Sequence, residues 1–182
     1  QPPTGVGDTI LIGWAGKDWA YTVEPPGNLI AVDARTGELL WDTGFIPPEL
    51  IPVTGTANIW SSMSADPDLG LVYVPVSSPS PNYWGGNRTD PIPLATSITA
   101  IRIETGEVAW SFQHVHHDVW DYDSPYECIL VDLPVNGRPR KLTLEDVAVL
   151  RGKPGRARGV AVVGADGGQQ HRCQRALVVD LH

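Results

Sequence analysis

An all-β fold built from repeated small sheets is what this sequence predicts, and three observations predict it. The 182 residues hold 19 Gly and 17 Pro, with 42% hydrophobic and 19% charged side chains. That mixture buries a core and suits many short strands joined by tight turns. Gly27–Trp41 and Thr96–Trp110 match at a fixed offset of 69 residues, sharing Ala31/Ala100, Thr36/Thr105, Gly37/Gly106, Glu38/Glu107 and Trp41/Trp110. Finally, all seven Trp, five Tyr and two Phe lie between Trp14 and Tyr126, so residues 142–182 form a segment of different character.

Each repeated segment reads as a hairpin. A strand ends at Val32 or Ile101, a turn places Gly where a positive φ costs nothing, and a second strand ends in Trp. Upstream of the two hairpins lie further β runs, Thr9–Ile12 and Leu71–Val74. Units of this length bury their faces by stacking on neighbours, as propeller blades do. Trp41 and Trp110 are read as packing residues between blades, since a large ring at a repeated position fills a recurring gap. Thr36-Gly37 and Thr105-Gly106 are turn chemistry.

Formal net charge is −8, which disfavours a nucleic-acid or anionic-membrane partner. The charge is uneven: residues 1–141 carry 7 basic and 17 acidic side chains, while residues 142–182 carry 6 basic and 4 acidic. The basic run Arg151–Arg158, broken by two Gly and a Pro, reads as a solvated loop. Cys128 and Cys173 have no metal-binding spacing and leave the redox compartment open. No apolar run approaches a membrane span, and the start at Gln1 is expected to mark a piece of something larger.

Chemistry on a repeat scaffold belongs where the repeats differ. Three stretches do so: Thr54–Met63 with Trp60, Pro79–Thr89 with Trp84, and His114–Asp123 with Trp120. The third places three His and three Asp within ten residues. These are candidate bases and metal ligands, and Trp120 is placed to shield a carboxylate from water and raise its proton affinity. A closed zinc site is not expected, because His114 and His116 lack a third ligand at a usual spacing. His114 and Asp123 read as residues that hydrogen-bond loop backbone, whereas Asp118 and Asp121 are functional candidates.

Together, Trp60, the run Asp68–Pro75, Trp84-Gly-Gly-Asn-Arg-Thr89, the Thr-Gly-Glu hairpin ending at Trp110, and Val115-His-His-Asp-Val-Trp-Asp121 resemble the pyrroloquinoline quinone (PQQ) dependent dehydrogenases, in particular the membrane-bound glucose dehydrogenase branch. The resemblance runs from about Gly27 to Lys141. It implies a partial β-propeller, about two blades of four-stranded antiparallel sheet out of the family's eight, spanning residues 1–141. It also implies PQQ and a divalent cation, Ca²⁺ or Mg²⁺, at the axial end. By that resemblance Asp121 is the catalytic base, Trp60 is the floor on which the quinone stacks, and Ser80 or Asn82 meets the cation. His117, Asn87 and Arg88 are the remaining cofactor-binding candidates. The implied activity is oxidation of a sugar or polyol hydroxyl with electrons passed to a quinone acceptor, on the periplasmic side. Membrane contact is expected only through segments outside this chain. The Asn87-Arg-Thr89 sequon is then incidental.

Beyond Lys141 the pattern stops. No Thr-Gly hairpin with a terminal Trp recurs, and Lys153 has no motif that would make it a quinone contact. Residues 142–182 are therefore expected to be an atypical tail, frame-shifted or disordered, or else a divergent extension with short strands at Gly159–Val163 and Arg175–Asp180. Two blades leave an axial site incomplete, so the chain alone is expected to be inactive. The competing readings are a non-catalytic propeller scaffold and a non-functional translation product. The His-His-Asp-Val-Trp-Asp cluster argues against a scaffold, which has no use for it.

Overall fold

The computed structural model describes residues 2–16, 26–125, 127–135, 138–145, 157–163 and 176–181. Among the described residues every regular element is a strand. The first sheet contains β1 (Thr4–Val6), β2 (Thr9–Ile12), β3 (Leu29–Asp33) and β4 (Leu39–Thr43), hydrogen-bonded in that order. The second contains β5 (Ser64–Asp66), β6 (Leu71–Val76), β7 (Ser97–Arg102) and β8 (Val108–Gln113), again in chain order. All pairs are antiparallel. These two sheets are the two expected blades.

A third antiparallel sheet follows, with β9 (Ile129–Val135), β10 (Arg138–Glu145), β11 (Ala157–Val163) and β12 (Ala176–Leu181). β10 crosses the point at which the sequence changes character, and β11 and β12 fall on the two short β runs seen in the tail. The first strands of the second and third sheets, β5 and β9, lie against each other. Among the described residues no helix is long and apolar enough to cross a membrane.

The repeated hairpins match in detail. Ala31 pairs with Trp41 and Ala100 with Trp110, and each hairpin carries a bulge just after its Ala. Gly37 and Gly106 both sit at φ 74°, closing turns in which their amides donate to the Asp33 and Arg102 carbonyls. In the first hairpin the Asp33 carboxylate also accepts from the Arg35 and Thr36 amides, both at 2.8 Å. Those two bonds hold its pKa below the ordinary carboxylate value.

Packing between the blades follows from the alternation of β6. Val72, Val74 and Val76 turn to the first sheet and join Leu11, Leu29, Ala31, Phe45 and Ile59 in the main core. Tyr73 turns the other way and packs with Ile98, Ala100, Cys128 and Trp110. The second sheet is thus apolar on both faces, as a blade between two neighbours must be.

Trp41 does what its repeat position predicts. It is 9% exposed, and its indole Nε1 donates to the Ile103 carbonyl of the next blade at 2.8 Å. A Cβ on Gly106 would lie 2.7 Å from that ring, so the turn needs Gly for space as well as for φ. Trp110 packs against Tyr73 with ring centroids 5.9 Å apart, but its buried Nε1 finds no acceptor among the described residues.

Candidate functional site

Strands that alternate direction place their connections at alternate ends. The short Thr-Gly turns emerge at one end. The long connections, residues 44–63, 77–96 and 114–128, all emerge at the other. These contain the three stretches that break the repeat, so the topology gathers them at one end of the blades.

Residues 54–59 are buried and laced to the second loop. The Gly55 amide donates to the Ser80 carbonyl, the Ser80 amide to the Thr56 carbonyl and the Ser77 amide to the Asn58 carbonyl, at 2.7–3.1 Å. This ribbon delivers Trp60, which is 38% exposed. The indole Nε1 donates to Asp123 Oδ2 at 2.8 Å, while Asp123 Oδ1 accepts the Ser78 amide at 2.9 Å. Next to that pair, the Ser61 hydroxyl donates to the Ser124 carbonyl at 3.1 Å.

The third loop is folded around Asp118, which is 3% exposed. Its carboxylate accepts the Trp120 amide at 2.9 Å and the Tyr122 amide at 2.7 Å, closing a tight turn. Within that turn Asp121 takes φ 58°, a conformation Asp tolerates better than most side chains. Its carboxylate receives the Asn82 amide Nδ2 on Oδ1 and the Tyr83 hydroxyl on Oδ2 at 3.0 Å. Ser80 stands behind, its buried hydroxyl donating to Asn82 Oδ1 at 3.2 Å.

Ser80, Asn82 and Asp121 therefore form one hydrogen-bonded line, with Trp60 joined to the same loop through Asp123. The other candidates lie apart. Arg88 is 3% exposed and spends Nη2 on the carbonyls of Pro81, at 3.1 Å, and Asp118, at 2.7 Å. Burial lowers its pKa, with the Asp118 charge pulling upward. His117 is exposed and rests on Gly85, where a Cβ would collide with Nε2. Arg88, His116 and His117 line a small cleft with Thr96 and Gln113, which neither Trp60 nor Asp121 enters. Asn87 is exposed.

Two sequence expectations change. Trp120 does not shield a carboxylate, being 81% exposed. The carboxyl in this loop that is pushed above its ordinary value is Asp123, raised first by burial and also by the Asp121 charge, against its bonds to Ser78 and Trp60. Asp118 serves the loop backbone. Tyr83 and Asp123 both lie inside stretches already singled out; Asp123 binds loop backbone through the Ser78 amide as expected and holds Trp60 as well, whereas the sequence reading does not mark Tyr83 as a site residue.

Comparison with known proteins agrees with this architecture. Residues 1–146 match the family described as "PQQ: Glucose/ethanol/alcohol dehydrogenase, beta-propeller domain". The chain belongs to the PQQ dehydrogenase β-propeller family. Among curated relatives of this family, the quinoprotein glucose dehydrogenase of Escherichia coli K12 is 40% identical over 147 residues, 76% of this chain and 18% of the relative. The quinate/shikimate dehydrogenase (quinone) of Acinetobacter baylyi is 36% identical over 143 residues, 73% of this chain and 18% of the relative. The chain thus spans about a fifth of the length of these relatives. Among solved structures, the quinohemoprotein alcohol dehydrogenase of Comamonas testosteroni superposes with a TM-score of 0.70 at 24% identity, covering 88% of this chain and 26% of that one. At that identity the likeness concerns the fold.

The residues present fit the family's cofactor. Trp60 is a partly exposed indole tethered at its edge, and Ser80 and Asn82, whose Oδ1 meets the Ser80 hydroxyl, bring neutral oxygen donors of the kind Ca²⁺ and Mg²⁺ accept. Among the described residues no three His, Cys, Asp or Glu side chains gather into a metal site, so Ser80 and Asn82 would supply only part of a cation's shell.

Proposed function

We propose that this chain is the part of a PQQ-dependent dehydrogenase that carries the catalytic base and the quinone floor, in an enzyme oxidising a sugar or polyol hydroxyl on the periplasmic side and passing electrons to a quinone acceptor. The observation that carries the reading is Asp121, held in a left-handed turn with Asn82 and Tyr83 on its carboxylate and joined through its loop to the tethered Trp60. When bound, PQQ supplies an electrophilic carbonyl that accepts hydride, and a divalent cation polarises it.

Asp121 takes the hydroxyl proton of the substrate on a carboxylate oxygen. Tyr83 and Asn82 orient that carboxylate, and Ser80 fixes the Asn82 amide from behind. Trp60 holds a planar ligand at low entropic cost. Arg88 enters the proposal as the residue that ties the Pro81 and Asp118 loops together, and His117 and Asn87 as groups at its periphery. We further propose that residues 1–141 are the propeller segment and that the sequence from about 142 onward, near where the family match ends at 146, is foreign to it. Translating the parent nucleotide sequence in its other frames tests this, and absence of a propeller-like continuation in all of them overturns it.

The function is tested by replacing the matching segment of the E. coli glucose dehydrogenase with residues 1–141 and following PQQ-dependent dye reduction with glucose and polyols. Activity is expected, and Asp121→Asn should lower kcat by about 10²–10⁴-fold. An active chimera indifferent to that substitution would refute the assignment of the base.

A further inference from the structure

We propose that Asp123 is a positioning residue of this site, gripping the indole edge of Trp60 so that the ring is held in one orientation beside Asp121. The inference rests on reading Trp60 as the quinone floor. It starts from a choice of side chain. Two N–H donors face the Asp123 carboxyl, the Trp60 indole on Oδ2 at 2.8 Å and the Ser78 amide on Oδ1 at 2.9 Å, with the Ser77 hydroxyl beside them. A carboxylate has two acceptor oxygens and no donor, so it satisfies both. Asn has one acceptor, and its amide nitrogen would face one of the two donors.

Place in the fold says what the grip achieves. Trp60 belongs to the loop at 44–63, Ser78 to that at 77–96 and Asp123 to that at 114–128, so one carboxylate pins three loops where they meet. Trp60 is 38% exposed, and the bond at Nε1 constrains its ring from the edge. Asp121 lies two residues away in the same turn, so floor and base share one anchor. Charge-assisted bonds of this kind are short and about twice as strong as neutral ones.

The test uses ¹⁵N-labelled 182-residue chain, with the Trp60 indole resonance assigned by its loss in Trp60→Phe. Asp123→Asn should shift that resonance and speed its proton exchange by about tenfold, the change expected of one charge-assisted hydrogen bond. Ser61→Ala, which cuts a neighbouring tie between the same segments without touching the ring, should leave it in place. An unmoved resonance in Asp123→Asn, or an equal response to both substitutions, overturns the proposal. If Asp123→Asn does not fold, the wild-type chain decides through a nuclear Overhauser contact between the Trp60 indole proton and the Asp123 β protons, whose absence overturns it. In the chimera, Asp123→Asn should weaken PQQ affinity about tenfold. Failure of Asp121→Asn to affect that chimera would count against the floor-and-base reading alone, leaving the Trp60 result to stand or fall by itself.

Discussion

Trp41 and Trp110 occupy one repeat position and differ in the fate of a single nitrogen. Trp41 donates across the blade boundary to Ile103, whereas the Trp110 donor is buried with no acceptor among the described residues. Trp→Phe at either site removes similar apolar area, so comparing the two isolates the hydrogen bond. Trp41→Phe should cost about 1 kcal/mol more than Trp110→Phe, since it also strands the Ile103 carbonyl. In a chain of this length that is a gap of about 2–4 °C in melting temperature, measurable by calorimetry. Equal losses would mean that the boundary is held by packing alone. The ring positions were legible from the repeat. The nitrogen's partner was not, because it belongs to another blade. The same holds at the site: Trp60 and Asp121 were legible through motifs, but Asp123 and Tyr83 matter through contacts across 63 and 38 positions of chain.

Among the elements, the two Thr-Gly hairpins share their turn geometry but not their side-chain support. Asp33 accepts two backbone amides and the Thr36 hydroxyl, while Arg102 at the equivalent position cannot. The Asp33 carboxyl is held below its ordinary value of 3.8 by those bonds, so it binds fewer protons in the fold than in the unfolded chain as pH falls through that region. Its contribution is fully present above 3.8 and is lost as pH drops through the lower folded value. Asp33→Ala should therefore destabilise the chain at neutral pH, with the deficit against wild type shrinking below pH 3.8. A deficit that stays constant with pH would assign the effect to turn propensity instead of to the charge. Sequence made both hairpins visible through Gly and Trp spacing. It marked β6 as a β run, but that Val72, Val74 and Val76 serve one core and Tyr73 another emerged only from the packing. The third sheet was less legible, because β11 and β12 lack the aromatic and turn signals that marked the others.

For the whole molecule, the open arrangement of the site limits what it can hold. Trp60, Tyr83, Trp84 and Trp120, all on the loops at the site's end of the blades, are exposed. A propeller closes such a site from all blades, and this chain supplies two that match the family. Affinity depends on how completely a ligand is surrounded and on how much of its desolvation cost is repaid, so one stacking face with two oxygen donors gives little. Titrating the 182-residue chain with PQQ and Ca²⁺ while following tryptophan emission should give quenching that does not saturate below about 1 mM, a binding free energy of about 4 kcal/mol at most. Seating residues 1–141 among a relative's remaining blades should bring the affinity back, with Trp60→Ala lowering it again. Tight saturable quenching of the isolated chain would instead show that floor, base and cation donors suffice without the rest of the ring, and closure would then serve substrate choice more than cofactor retention.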